Sequence, residues 1–274
     1  MKRFFCQLLS HAVLVFFSLS MVIPFAWMLS TSFKKPHEIF VFPPRWIPRE
    51  PTLKNYLDLF RAVNFSRPFF NTLIVAVSIT VLSVLLASTA GYAFSKFRFK
   101  GRDKIFLLVL ATIMVPGQMT LIPVFLIVKQ LGMLNSYAGL IVPGVASAFN
   151  IFFMRQYMLS IPNELIEAAR IDGAREDYVF FKIVLPLSRP AIATIAIFTF
   201  TGSWNSFLWP LVVAQDERYY TLPVAVSVLA GQYSENLGLQ MAGSCVVILP
   251  ILVFFILTQK YFMKGIAPLT GLKY

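Results

Sequence analysis

The side chains able to do chemistry in this 274-residue sequence are few, and their spacing narrows what that chemistry can be. His11, His37, Cys6 and Cys245 are the whole supply of soft ligands. The histidines fall on opposite sides of one apolar stretch and neither cysteine has company at ligand spacing, so no metal site is expected. There is no HExxH, no GxxxxGK[ST] phosphate cradle and no plausible Ser/His or Cys/His constellation. The chain is therefore expected to be no enzyme, with no catalytic residue and no cofactor of its own. Two sets of residues remain. One is the charged segment 155–189, with five basic groups (Arg155, Arg170, Arg175, Lys182, Arg189) and five acids (Glu164, Glu167, Asp172, Glu176, Asp177). The other is a scatter of amides and indoles in apolar surroundings: Asn150, Trp204, Asn205 and Trp209, with Gln118 the weakest member.

The elements that must position them are set by solubility. Hydrophobic residues make up 58% of the chain and charged ones 13%, with a mean hydropathy of +0.73, far from the roughly one-quarter charged composition of soluble domains. Apolar runs near the ~20 residues needed to cross a bilayer lie at 12–32, 68–95, 105–128, 137–154, 190–214 and 237–259. None carries an Asp or Glu. The expected fold class is all-α, a polytopic bundle of six transmembrane helices, because a helix satisfies its own backbone in hydrocarbon. Pro24, Pro116, Pro123, Pro143, Pro210 and Pro250 fall inside these runs and predict kinks. Lys2 and Arg3 precede the first run, but it is too long for a signal's apolar core and no Ala-x-Ala site follows, so it reads as a retained helix.

Short loops carry the orientation. Residues 96–104 hold Lys96, Arg98, Lys100, Arg102 and Lys104, whereas 129–136 holds only Lys129. The former is expected in the cytoplasm, and with six spans so are both termini. The longer 33–67 loop, with seven Lys/Arg, then falls outside against the trend. The net charge of +12 invites a nucleic-acid reading, but the positive groups sit between spans as topology determinants, and no nucleic-acid partner is expected. Cys6 and Cys245 are not expected to pair, one being cytoplasmic and the other within the last span.

Within 155–189, Ser160-Ile161-Pro162-Asn163-Glu164 reads as a helix start, with Pro162 in the first turn and acids near the positive end of the dipole. Gly173 supplies the stop. A second helical piece follows from about Ala174 and is ended by Leu185-Pro186. Leu165, Ala168, Ala169 and Asp172 recur at helical spacing, and the two alanines leave a shallow face that another surface can approach closely.

Glu167-Ala168-Ala169, then Gly173, then Ile183 and Leu185-Pro186 resembles the EAA loop of binding-protein-dependent ABC importers, at the place expected in a six-span permease (the type I ABC importer permease fold). The resemblance implies a coupling helix that docks on a cytoplasmic ATPase. Glu167 would offer it a charge, Ala168 and Ala169 close approach, and Gly173 the turn, with Ile183, Leu185 and Pro186 anchoring the loop. Trp204-Asn205-Ser206-Phe207-Leu208-Trp209-Pro210-Leu211, Tyr220-Thr221-Leu222-Pro223-Val224, Asn71-Thr72 and Gly91-Tyr92-Ala93-Phe94-Ser95-Lys96 are similar to the carbohydrate branch, the smaller maltose-type permease. Ser206 stands where members often carry an acid, and Pro268-Leu269-Thr270-Gly271 departs from the family's tail, where Lys264-Gly265 conforms.

The division that follows is 1–66 (N-terminus, first span, outer loop), 67–262 (importer core with the EAA loop at 160–189) and 263–274 (tail). The resemblance implies a bacterial inner-membrane permease subunit of a sugar importer. Its partners would be two copies of an ATPase that uses ATP, a second related permease, an extracytoplasmic sugar-binding protein and membrane lipid. Asn150, Trp204, Asn205 and Trp209 are of the types a sugar path needs, although an indole at a helix end also serves as an interface anchor and an intramembrane amide also bonds a neighbouring helix. The 215–236 loop, with Asp216, Glu217, Arg218, Tyr219, Tyr220, Tyr233 and Glu235, is expected outside, as a docking surface for the binding protein or simply solvated. A glycerol-phosphate or polyol cargo is the alternative within the class. An ion-coupled carrier is the alternative outside it, and the absence of intramembrane carboxylates argues against that reading.

Overall fold

The computed structural model describes residues 2–62, 65–232 and 236–266. All regular structure among them is helical. In chain order the helices are α1 (Lys2–Ser32), α2 (Pro36–Ile39), α3 (Lys54–Ala62), α4 (Ser66–Lys96), α5 (Arg102–Ile113), α6 (Gly117–Gln130), α7 (Tyr137–Val145) and α8 (Ala148–Leu159). There follow α9 (Asn163–Ile171), α10 (Glu176–Tyr178), a π-helical segment (Val179–Val184), α11 (Leu185–Leu187), α12 (Arg189–Trp204), α13 (Leu208–Val213), α14 (Leu222–Gln232) and α15 (Leu237–Ile266).

Three of these are long and apolar enough to cross a membrane alone, within α1, α4 and α15. Three bent pairs bring the number to as many as six: α5 with α6 at 102°, α7 with α8 at 43°, and Glu176–Leu187 with α12 at 74°. The breaks have local causes. Pro116 offers no N–H and pushes Val115 out of the helical region, so α5 closes with Met114 N–H on Ala111 O and Val115 N–H on Thr112 O. The kink expected at Pro116 is thus a full break. Ser147 opens α8 by accepting the Asn150 N–H at 3.3 Å. Helix α12 stops at Trp204, and three residues intervene before α13, so the 190–214 run is not one straight helix.

The chain divides into two compact units, one formed by residues up to Ser66 together with Leu222–Pro250, the other by Arg67–Thr221 together with the residues from Ile251. In the first, Asn55 is buried and its amide donates to the carbonyls of Ser32 and Lys34, each at 2.9 Å. Lys34 is buried as well. Its ammonium donates to Arg45 O at 2.6 Å and lies 3.9 Å from the Trp27 ring centroid. Burial lowers its pKa, with Glu38 opposing. The 33–67 loop is therefore a folded piece rather than a run of solvated charge, which accounts for one of its seven basic residues. Exposed Lys35 and Glu50 pair on its surface, and each holds the other in its charged form.

The expectation of a polar loop over 215–236 needs correction. Residues Leu222–Gln232 form α14, with Leu222, Val224, Ala225 and Leu229 buried. The sequence LPVAVSVLAGQ is apolar enough to demand burial but too short to span a bilayer. Tyr233 and Glu235 lie outside the described residues, as do 267–274 and with them Pro268-Leu269-Thr270-Gly271; α15 ends at Ile266.

In the second unit a core of Tyr92, Met154, Met158, Ile161, Ile166, Val179, Phe180 and Val184 gathers the end of α4, α8, α9 and the π segment. Gly91 makes this possible. A Cβ added there would lie 2.8 Å from Met154 Cβ and 3.0 Å from the Arg155 nitrogen, so α4 and α8 cross at backbone distance. Gly91→Val is expected to lower the thermal unfolding midpoint of the detergent-solubilised subunit, by the ~1–3 kcal/mol typical of overpacking. Gly202→Ala, with nothing within 4 Å of the added carbon, is expected to leave the midpoint in place.

Candidate functional site

The 160–189 loop is built as its charges and breakers require. Pro162 precedes the nine-residue α9, Glu164 lies in its first turn and Arg170 in its last, each complementing the helix dipole. The end is a left-handed turn: Gly173 sits at φ +81°, Asp172 N–H bonds Ala168 O and Ala174 N–H bonds Ala169 O. One side chain of α9, Ile166, is buried at 2% exposure, and Ala169 packs against the same core. Glu167, Ala168, Leu165 and Ile171 face out, Ile171 at 85%. Leu165, Ala168 and Ile171 follow three-residue spacing and form an exposed apolar stripe beside Glu167. Next to the turn, a groove of about 770 Å³ is bordered by Ala169, Gly173, Tyr178 and Ile183.

Beyond Gly173 the chain returns as one helical stretch with a π segment at Val179–Val184. Pro186 explains its position: the ring cannot donate to, and crowds, the carbonyl one turn back, so the backbone widens just before it. Leu185 packs on the core below, and Pro186 is half-buried. Ser188 ends the stretch, its N–H and hydroxyl both donating to Val184 O, at 2.9 and 2.8 Å.

Polar links fix α9 to α4, and sequence reasoning gave them no role. Arg170 donates to both carboxylate oxygens of Glu176, at 3.0 Å each through Nη2 and 3.2 Å from Nε to Oε2. The Tyr92 hydroxyl donates to Glu176 Oε1. Lys96 Nζ donates to Ile161 O at 2.6 Å and to Asn163 Oδ1 at 2.9 Å. The signal that could have found them is the i, i+4 pair Tyr92 and Lys96 at the end of the second apolar run.

The four candidate path residues are not brought together. Trp209 borders a cavity of about 310 Å³ with Ser203, Ser206, Thr120, Val75 and Ile79, and its indole N–H donates to Gly139 O at 3.1 Å, fixing the ring plane. Asn150 is 3% exposed and spends its amide hydrogens on Ser83 Oγ (3.0 Å) and Thr199 Oγ1 (2.9 Å). Trp204, 1% exposed, packs edge-on against Phe69 and tilted against Phe200. Asn205 is exposed and bonds Thr201 O at 3.0 Å. Gln118 borders a neighbouring groove of about 340 Å³ with Ser206 and Phe207.

The loop ahead of α14 is pinned by two asparagines. Asn71 accepts from the Tyr137 hydroxyl at 2.6 Å and donates to the carbonyls of Arg218 and Tyr220, each at 2.9 Å. Asn135, at φ +51°, accepts from the N–H groups of Gln215 (2.7 Å) and Asp216 (2.9 Å). Asp216, Glu217 and Arg218 are thereby presented on a fixed backbone.

The described residues thus form a polytopic helical membrane chain with a charged, structured loop at one break. The family model described as "Binding-protein-dependent transport system inner membrane component" matches residues 79–264. The chain is 37% identical over 276 residues to the arabinooligosaccharides transport system permease protein AraQ of Halalkalibacterium halodurans, covering 97% of this chain and 98% of that one. It is 33% identical over 265 residues to the lactose transport system permease protein LacG of Rhizobium radiobacter, covering 97% and 96%. A solved bacterial ABC transporter involved in import of the acidic polysaccharide alginate superposes with a TM-score of 0.83 at 26% identity, over 93% of this chain and 96% of that one. This chain belongs to the family of binding-protein-dependent transport permeases. It is a multi-pass inner-membrane transport component and not an enzyme.

Gly173→Val is expected to strain the turn by the ~1–2 kcal/mol that a left-handed residue with a Cβ pays, and Gly173→Asn by less. Limited proteolysis of the 160–189 loop should accelerate in that order, and equal rates would remove the conformational role of Gly173.

Proposed function

We propose that this chain is the permease subunit of an ATP-driven importer of sugars, with oligosaccharides as the favoured cargo. The observation that carries the cargo is the 37% identity to AraQ over nearly the full length of both chains, supported by LacG. In this reading residues 67–262 form the importer core, 160–189 its EAA loop, 1–66 an N-terminal segment with the first span and outer loop, and 263–274 a tail. The loop and both termini lie in the cytoplasm.

Helix α9 docks on one of two ATPase copies, which hydrolyse ATP. Glu167 supplies a rim charge, Ala168 permits close approach, and Leu165 and Ile171 give the apolar anchor. Ala169, Ile183, Leu185 and Pro186 hold the loop to the bundle, and Gly173 turns it. The exposure of Ile171 supports this, since a large apolar side chain left open beside charged residues marks an association surface. A second, related permease completes the path, and a sugar-binding protein docks outside, where the loop at Asp216–Arg218 is suited to it.

The cargo passes the cavity at Trp209, where an indole face offers a surface for C–H groups and Ser203, Ser206 and Thr120 offer hydroxyls; this stands on the cavity lining. Asn150, Trp204 and Asn205, placed elsewhere among the sequence-level candidates, act in helix packing in this conformation.

Affinity copurification from bacterial membranes in mild detergent, read by mass spectrometry, tests the assembly. An ATPase, a second permease and a solute-binding protein are expected, and that binding protein is expected to bind arabinooligosaccharides or lactose and not glycerol 3-phosphate. Recovery of the chain alone, with crosslinking, contradicts the reading. Glu167→Lys and Ile171→Asp are expected to strip the ATPase from the complex at unchanged permease abundance. Ile171 is too exposed for its loss to cost the subunit more than ~0.5 kcal/mol of stability.

A further inference from the structure

Helix α9 rests on the bundle through its buried side chain, Ile166, with Ala169 packed beside it. In a nine-residue helix about 13 Å long, apolar packing near the middle leaves the ends to be held by other means. Both ends of α9 are tied to the same turn of α4. At the start of α9, Lys96 holds Ile161 O just ahead of the helix and Asn163 Oδ1 on its first residue. After it, Tyr92 holds Glu176, which grips Arg170 at the far end of the helix. Tyr92 and Lys96 stand four residues apart, on one face of α4. Each link is a hydrogen bond to a charged group, the stronger kind.

Helix α4 is also one of the two longest elements among the described residues. It runs 31 residues unbroken, about 46 Å, whereas α5/α6, α7/α8 and the stretch before α12 are broken. Val75 and Ile79 on it border the cavity at Trp209. At its start Asn71 holds the Arg218 and Tyr220 carbonyls.

We propose that Tyr92 and Lys96 are positioning residues that lock α9 to α4 at two points, so that a displacement of α9 becomes a displacement of the cavity wall and of the 214–221 loop rather than a movement of α9 alone. This rests on the reading of α9 as the ATPase-docking helix. Coupling is reciprocal. The same two links then carry the state of the outer loop back to the ATPase, and cutting them frees hydrolysis from the demand for binding protein.

The test uses the assembled transporter reconstituted in liposomes, with the Tyr92→Phe and Lys96→Met changes together, Glu176→Gln as an isosteric alternative and Lys96→Arg as the conservative rescue. ATPase activity without binding protein is expected to rise roughly tenfold in the double variant, the shift that loss of a hydrogen bond to a charged group produces, and to return towards wild type when Lys96→Arg replaces Lys96→Met. Spin labels at Glu164 and Leu85, in a background with Cys6 and Cys245 replaced by serine, are expected to keep one narrow distance with and without ATP in the wild type and a broadened one in the double variant. If no ATPase accompanies the wild-type permease, the docking reading fails and the inference with it. If the ATPase is present in wild-type amount but its basal rate and the label distance are unmoved, the two-point lock is wrong and the docking reading stands.

Discussion

Hydrocarbon offers no partner to an N–H or C=O group, and the spanning helices answer to that constraint. Several helical Ser and Thr hydroxyls turn back on their own backbone, as Thr72 does on Pro68 O, Thr80 on Ala76 O, Thr194 on Pro190 O and Ser244 on Gln240 O. Where an amide is buried, it is met: Asn150 by two hydroxyls from neighbouring helices. Where the helix must break, the break carries its own caps and turn bonds, as at Ser147 and Met114. Breaks are tolerated inside a bilayer only when buried in protein or lining a cavity, and the break before α6 does the latter, with Gly117 on the cavity edge.

The same constraint explains why charge is kept to the loops, and the 160–189 loop is built as a small structure rather than left as a tether. Glu176 is its pivot, accepting from Arg170 and Tyr92 together. An exposed Arg–carboxylate pair alone is worth little. The planar fork and the added phenol give this one geometry, which sets where α9 can stand relative to α4. The apolar stripe of α9 is then presented outward on a held helix, a low-entropy way to offer an association surface.

Much of the fold is readable from composition and run length. The helical class, the placing of the six apolar runs and the helix, turn and helix of 160–189 follow from apolar length, Pro162, Gly173 and Pro186. Breaks are less readable, because a proline in a membrane helix announces a kink without its angle: Pro116 accompanies a 102° turn while Pro24 sits inside an uninterrupted α1. Helix α14 escapes because a mostly apolar stretch of eleven residues resembles neither a span nor a loop. Side-chain roles are the least readable. Trp204 and Trp209 are five residues apart and chemically identical, yet one is sealed against Phe69 and Phe200 and the other borders a cavity. Only the rotation of each helix decides this, and rotation is set by tertiary packing.

The claim on which the account turns is that the exposed stripe of α9 is the surface through which an ATPase drives this permease. Single cysteines placed at Ile171, at the buried Ile166 and at Leu85 on α4, each treated with a short bifunctional thiol-to-amine reagent in native membranes, test it directly. The account predicts a covalent adduct with the ATPase from position 171 and none from 166 or 85. An assembled transporter in which position 171 stays freely reactive and never joins the ATPase would contradict it.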